Sequence, residues 1–154
     1  MTKKLASNIF FLRNLKNIVG TNVLMLAFHA LIMSHCIYGI TVWGHSPHSE
    51  VVFRLQRRAM RVLSNIGYRE DVSEKFKEFN ILTIPSLYIY KCMCYMHCNK
   101  HRYLQHNNIH NYTTRYSENL RIPSLRLSHS KNMLNYYGSV FYNKINVILK
   151  KYIY

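Results

Sequence analysis

The chain has 154 residues, with 21 Lys and Arg against 6 Asp and Glu and a formal charge of +15. That length supports one domain with a modest core, and so large an excess of one sign repels itself unless a polyanion relieves it. One aspartate and five scattered glycines argue against two-metal phosphoryl transfer, which needs clustered carboxylates, and against a glycine-rich phosphate loop. Nucleic acid is therefore the first partner to expect, and an anionic membrane surface the second.

Residues 3–19, KKLASNIFFLRNLKNIV, place Leu5, Ile9, Leu12, Leu15 and Val19 at spacings of three and four, the period of an amphipathic helix. Gly20-Thr21-Asn22 ends it, and Thr21 or Asn22 is suited to cap a second helix. That second segment, VLMLAFHALIMSHCIYGITVW, lies in a stretch with no Lys, Arg, Asp or Glu between Lys16 and Glu50. About 20 apolar residues cross a bilayer, so a small membrane-associated protein anchored by residues 23–42 is one alternative. His29, Ser34, His35 and Cys36 in its middle, and Gly39 with β-branched neighbours later, favour a buried helix of a soluble fold. Gly44-His45-Ser46-Pro47 reads as a turn.

The stretch RLQRRAMRVL (54–63) carries the clearest signal. At about 100° of rotation per helical residue, Arg54, Arg57, Arg58 and Arg61 fall within an arc of roughly 100°. Val51, Val52, Leu55, Ala59, Val62, Leu63 and Ile66 fill a neighbouring arc of roughly 120°, widened by Phe53 and Met60. The pattern predicts one helix with a core face and a guanidinium face. Ser46 is placed to cap it, Pro47 to occupy its first turn, and Gly67 to end it. DVSEKFKEF (71–79) predicts a short helix with Asp71 or Ser73 near its start. Pro85 suits the first turn of another helix, running to about Asn99. From there to residue 134 the sequence is polar, basic and without a sustained period, as in a long loop or arm. YYGSVFYNKINVILKKYIY (136–154) predicts a closing helix that docks onto the body.

Four cysteines, Cys36, Cys92, Cys94 and Cys98, with nothing that reads as a cleavable signal peptide, place the chain in a reducing compartment. Cys94, His97, Cys98 and His101 share one helical face and are zinc-ligand types, so a zinc-binding helical module on residues 92–101 is a further alternative. One straight helix rarely supplies four tetrahedral ligands, however, and no second Cys/His pair stands at zinc-finger distance. Buried thiols are the simpler expectation, and neither a metal nor another cofactor is expected. The histidines form no Ser/His/Asp or Cys/His set. Arg115, Arg121, Arg126 and Lys131 run through the arm, interleaved with Tyr112 and Tyr116. Guanidinium groups suit phosphate and aromatic rings stack on unpaired bases. RNA or DNA backbone is the expected partner, with Arg54, Arg57, Arg58 and Arg61 as the main contacts and the arm cations as secondary ones. No small-molecule substrate is expected.

HALIMSHCIYGITVWG (29–44), LQRRAMRVL (55–63), FKEFNILTIPSLYIY (76–90), HNYTTRYSENLRIPSLRLS (110–128) and NYYGSVFYNKI (135–145) resemble, in that order, the C-terminal part of jockey-type insect non-LTR retrotransposon reverse transcriptases. The resemblance spans about Leu5 to Ile148. It implies the thumb and post-thumb region of an RNA-directed DNA polymerase whose palm, with paired catalytic aspartates, lies upstream. It implies no polymerase activity for this chain, since Asp71 stands alone. Where family members often carry Cys-Arg before the FK…ILT motif, this chain has REDVSEKF, and it is more basic than expected; both departures fit a truncated copy. The expected fold is mainly α: four to five helices in a small bundle, a long basic arm and a short C-terminal helix. Residues 1–100 would be the thumb-like region, 101–134 the arm and 135–154 the docking helix, in a single domain.

Overall fold

A computed structural model describes residues 1–109, 116–127, 131 and 133–145. The described residues are mainly helical, and no strand occurs among them beyond one isolated antiparallel bridge, Gln105–Leu120. The chain divides into two compact units, Met1–Leu87 and Tyr88–Tyr154.

In the first unit, helix α1 (Thr2–Lys16) buries Leu5, Ile9 and Leu12 on one face. Helix α2 (Thr21–Phe28) comes next, with Gly20 rather than Thr21 or Asn22 at its N-cap position; a glycine there enters the helix from extended backbone at little steric cost. The apolar segment is not one straight helix. It widens into a π turn, His29–Met33, resumes as α3 (Ser34–Ile37) and breaks at Gly39, whose φ of 59° is left-handed. It ends with α4 (Ile40–Trp43). A π turn disturbs the regular backbone ladder, and here Asn8 of α1 donates to the Leu31 carbonyl at 2.7 Å. No described helix is long and apolar enough to cross a membrane.

Helix α5 (Ser49–Ser64) packs on α1 and α2. Its start lies two residues beyond the expected one. The Ser46 hydroxyl accepts from the His48 N–H at 3.3 Å and the Ser46 carbonyl from the Ser49 N–H at 2.9 Å. Ser46 and Pro47 thus build the preceding turn, where proline's fixed φ is equally at home. The end also differs. Asn65, not Gly67, takes the left-handed position after the helix, at φ 56°, a conformation asparagine adopts more readily than other non-glycine residues.

Helix α6 (Ser73–Glu78) starts where Asp71 accepts from the Val72 and Ser73 N–H groups and the Ser73 hydroxyl. Helix α7 (Ile84–Cys98) begins at Thr83-Ile84-Pro85-Ser86, and each donor of its first turn has an answer. Ile84 N–H is taken by the Gln56 Oε1 of α5 at 3.0 Å, Pro85 has none, Ser86 N–H points at Thr83 Oγ1, and Leu87 N–H reaches the Thr83 carbonyl at 2.8 Å. The helix start, costly when left bare, is thus satisfied partly by a side chain 28 residues upstream.

In the second unit, the remainder of α7 carries Met96, buried with Leu120 and Tyr142. Helix α8 (Leu134–Lys144) presents Phe141 edge-on to Tyr88, at 6.0 Å between ring centres. The described residues of the segment expected as an arm are irregular, with single 3₁₀ turns at Lys100–Arg102 and His106–Asn108, but they are pinned. Leu120 is fully buried, and Asn143 of α8 holds it by two bonds: Leu120 N–H to Oδ1 at 2.9 Å, and Nδ2–H to the Leu120 carbonyl at 2.8 Å. That pairing copies one rung of a strand ladder with a side-chain amide. The closing helix stops at Lys144; the rest of the expected run, 146–154, lies outside the described residues.

Candidate nucleic-acid interface

Helix α5 buries Val52, Gln56, Ala59, Met60, Val62 and Leu63. These positions span an arc of roughly 160°, and the four arginines centre on the opposite side. The arginine face is therefore held outward by burial of its reverse. Two of the four are engaged by the protein. Arg57 pairs with Glu50 at 3.2 Å and lies 4.7 Å from the Phe53 ring centre. Arg61 donates through Nε and Nη2 to the Glu70 carbonyl, at 3.1 and 3.0 Å.

That carbonyl is presented by a turn, in which Gly67 N–H bonds the Glu70 carboxylate at 2.9 Å and Glu70 N–H the Gly67 carbonyl at 3.3 Å. A Cβ on Gly67 would meet Glu70 Oε1 at 2.7 Å, so glycine here serves the turn rather than the helix end. Glu70 thus belongs to a turn and not to the short acidic helix beside it. Arg54 and Arg58 are both exposed and make no ion pair among the described residues.

A guanidinium has five N–H donors, so Arg57 and Arg61 keep most of theirs for another acceptor. The Arg57–Glu50 pair is exposed, with side chains 37% and 58% accessible, and such pairs are worth only about 0–1 kcal/mol. A phosphate can compete with it at little cost.

Two adjoining open depressions run along this face. One, of ≈ 480 Å³, is lined by Arg54, Arg57, Arg58, Arg61 and Tyr68 with apolar Val51 and Leu55. The other, of ≈ 270 Å³, is lined by Arg58, Arg61 and Tyr68 together with Arg13 and Lys16 of α1. They share Arg58, Arg61 and Tyr68. Lys16 also donates to the Asn65 side chain just past α5, so the C-terminal turns of α1 and α5 lie side by side. The negative ends of two helix dipoles favour cations there.

Arg13 and Lys16 are not among the residues that the sequence singles out. Their spacing of three on one helix is the available signal, but only the packing of α1 on α5 carries them to the arginines. Arg121 and Arg126 are exposed and Lys131 half-buried, all in the second unit; Arg121 N–H bonds the Leu104 carbonyl at 2.8 Å. Arg115 and Tyr112 lie outside the described residues.

Elsewhere, among the described residues no three His, Cys, Asp or Glu side chains come together to hold a metal ion. Helix α7 stops at Cys98, and His101 sits in the 3₁₀ turn after it, which takes it off the helical face expected to carry it. His97 Nδ1 is 3.4 Å from the Tyr142 hydroxyl. Burial pushes the Cys36 thiol up to about 12 and the Cys92 thiol up to about 11, so these two sulfurs stay protonated and inert as ligands or nucleophiles.

No family model matches the chain, and comparison with curated proteins and with solved structures yields no match either.

Proposed function

We propose that this chain is the thumb and post-thumb portion of a jockey-type non-LTR retrotransposon reverse transcriptase, and that it binds RNA or DNA through the sugar–phosphate backbone. The order of the five motifs supports the family. The observation that carries the binding reading is the cluster of six cations, Arg13, Lys16, Arg54, Arg57, Arg58 and Arg61, along two adjoining open depressions. Arg115, Arg121, Arg126 and Lys131 are secondary contacts in this reading, and a palm region is the partner that would supply the aspartates. The chain itself is assigned binding and not polymerisation: its one aspartate is engaged by Val72 and Ser73 at the start of α6.

Backbone binding releases counterions, so log K falls against log salt by about 0.9 for each phosphate neutralised on duplex DNA. Six engaged cations correspond to a slope of about −5. Replacing Arg13, Lys16, Arg54 and Arg58 by glutamine should flatten that slope by about 3 to 4, with little dependence on base sequence. Fluorescence anisotropy of the full chain with a labelled duplex over a salt series measures it. An unchanged slope removes the groove from the binding site.

A further inference from the structure

We infer that the groove takes an unpaired nucleotide, stacked on Tyr68, and so holds single-stranded nucleic acid more firmly than duplex. This rests on the backbone-binding reading above and adds to it the state of the strand. Among the described residues, Tyr68 is the one aromatic side chain that lines both basic depressions. It is 74% exposed, far too open to contribute to the core. It sits in the turn after α5, with the Arg61 guanidinium 5.9 Å from its ring centre, and that guanidinium is held in place by its two bonds to the Glu70 carbonyl.

Tyr68 shares one depression with Arg13 and Lys16 and the other with Arg54 and Arg57, with Arg58 and Arg61 common to both. Successive phosphates of one strand engaged in the two adjoining depressions bring the intervening base to the ring they share. A base paired within a duplex is already stacked on its neighbours and has no free face to give. Aromatic platforms between backbone-tracking cations are the general means of binding single strands without reading sequence. A ring that served only to shield the Arg61–Glu70 contact would not distinguish the two forms of nucleic acid.

The test compares wild type, Tyr68→Ala and Tyr68→Phe in the full chain, by anisotropy with labelled oligothymidylate and with a blunt duplex of equal length. Y68A should weaken oligothymidylate binding by roughly 5- to 150-fold, the worth of one base on an aromatic ring. Duplex binding should stay within about twofold, because its phosphate contacts are untouched. Y68F, which keeps the ring, should behave as wild type. Equal weakening of both ligands by Y68A, or of neither, overturns the inference and leaves the backbone-binding reading standing, as does wild-type binding of duplex without oligothymidylate. Wild type that binds neither ligand overturns both.

Discussion

Gln56 is the residue on which the arginine helix is anchored, and its replacement tests that directly. It is fully buried, near the middle of the apolar arc of α5, and its amide is used at both ends. Oε1 accepts from Ile84 N–H at 3.0 Å, while Nε2 donates to the Leu82 carbonyl at 2.9 Å and lies 3.4 Å from Met33 Sδ. Methionine keeps the bulk and removes the polar ends. Gln56→Met leaves the buried Ile84 N–H unpaired, at about 1–3 kcal/mol, and takes one neutral bond from the Leu82 carbonyl, at about 1 kcal/mol. The expected loss of stability is about 2–4 kcal/mol. Gln56→Ala adds a cavity beside Met33 and should cost about 1–2 kcal/mol more. Urea unfolding followed by the helical circular-dichroism signal measures both, with Arg58→Gln on the outward face of the same helix as a control within about 0.5 kcal/mol of wild type. If Q56M lies as close to wild type as that control, the amide is not what ties α5 to the start of α7. Folded Q56M should keep the wild-type salt slope of nucleic-acid binding, since no groove cation is altered.

Three further outcomes are expected from other parts of the structure. Asn143→Ala removes both bonds that hold Leu120; the second unit should lose about 2 kcal/mol, and the Leu120 amide should exchange with solvent faster in hydrogen-exchange measurements while amides of α5 do not change. Gly138→Ala places a Cβ 2.8 Å from Met96 Cγ and Sδ, both in a fully buried side chain; overpacking of this kind costs about 1–3 kcal/mol and should appear as a lower thermal midpoint for the second unit. In the native protein at pH 8, exposed Cys98 should react with iodoacetamide, whereas Cys36 and Cys92, buried and raised to about 12 and about 11, should react only after denaturation. Mass spectrometry of the alkylated peptides reads the difference, and rapid native labelling of Cys36 would show that the α3 region opens.

Much of the fold was legible because helix periodicity is a local property. Leu5, Ile9 and Leu12 recur on one face and are buried together. The arginine arc of residues 54–61 comes from angular spacing alone, and Pro85 announces a helix start that is found one residue before it. The ends of elements were less legible. Asn65 against Gly67, and His48 against Ser46, are choices between neighbouring residues of similar propensity, decided by where the chain must turn. The segment after residue 99 has no period to read, and its attachment through Leu120 and Asn143 depends on a contact across 23 positions.

Composition and periodicity by themselves determined that the chain is basic, mainly helical and carries a guanidinium face opposed to an apolar one, because these depend only on residue identity and on the angle between successive residues. Tertiary structure alone decided the rest. It buried Gln56 in the middle of an apolar arc, where two backbone groups from a later turn compensate its desolvation. It gave Arg61 a carbonyl partner and brought Arg13, Lys16 and Tyr68 to the arginines. Such placements depend on which helices pack together, and a helical wheel carries no information about its neighbour.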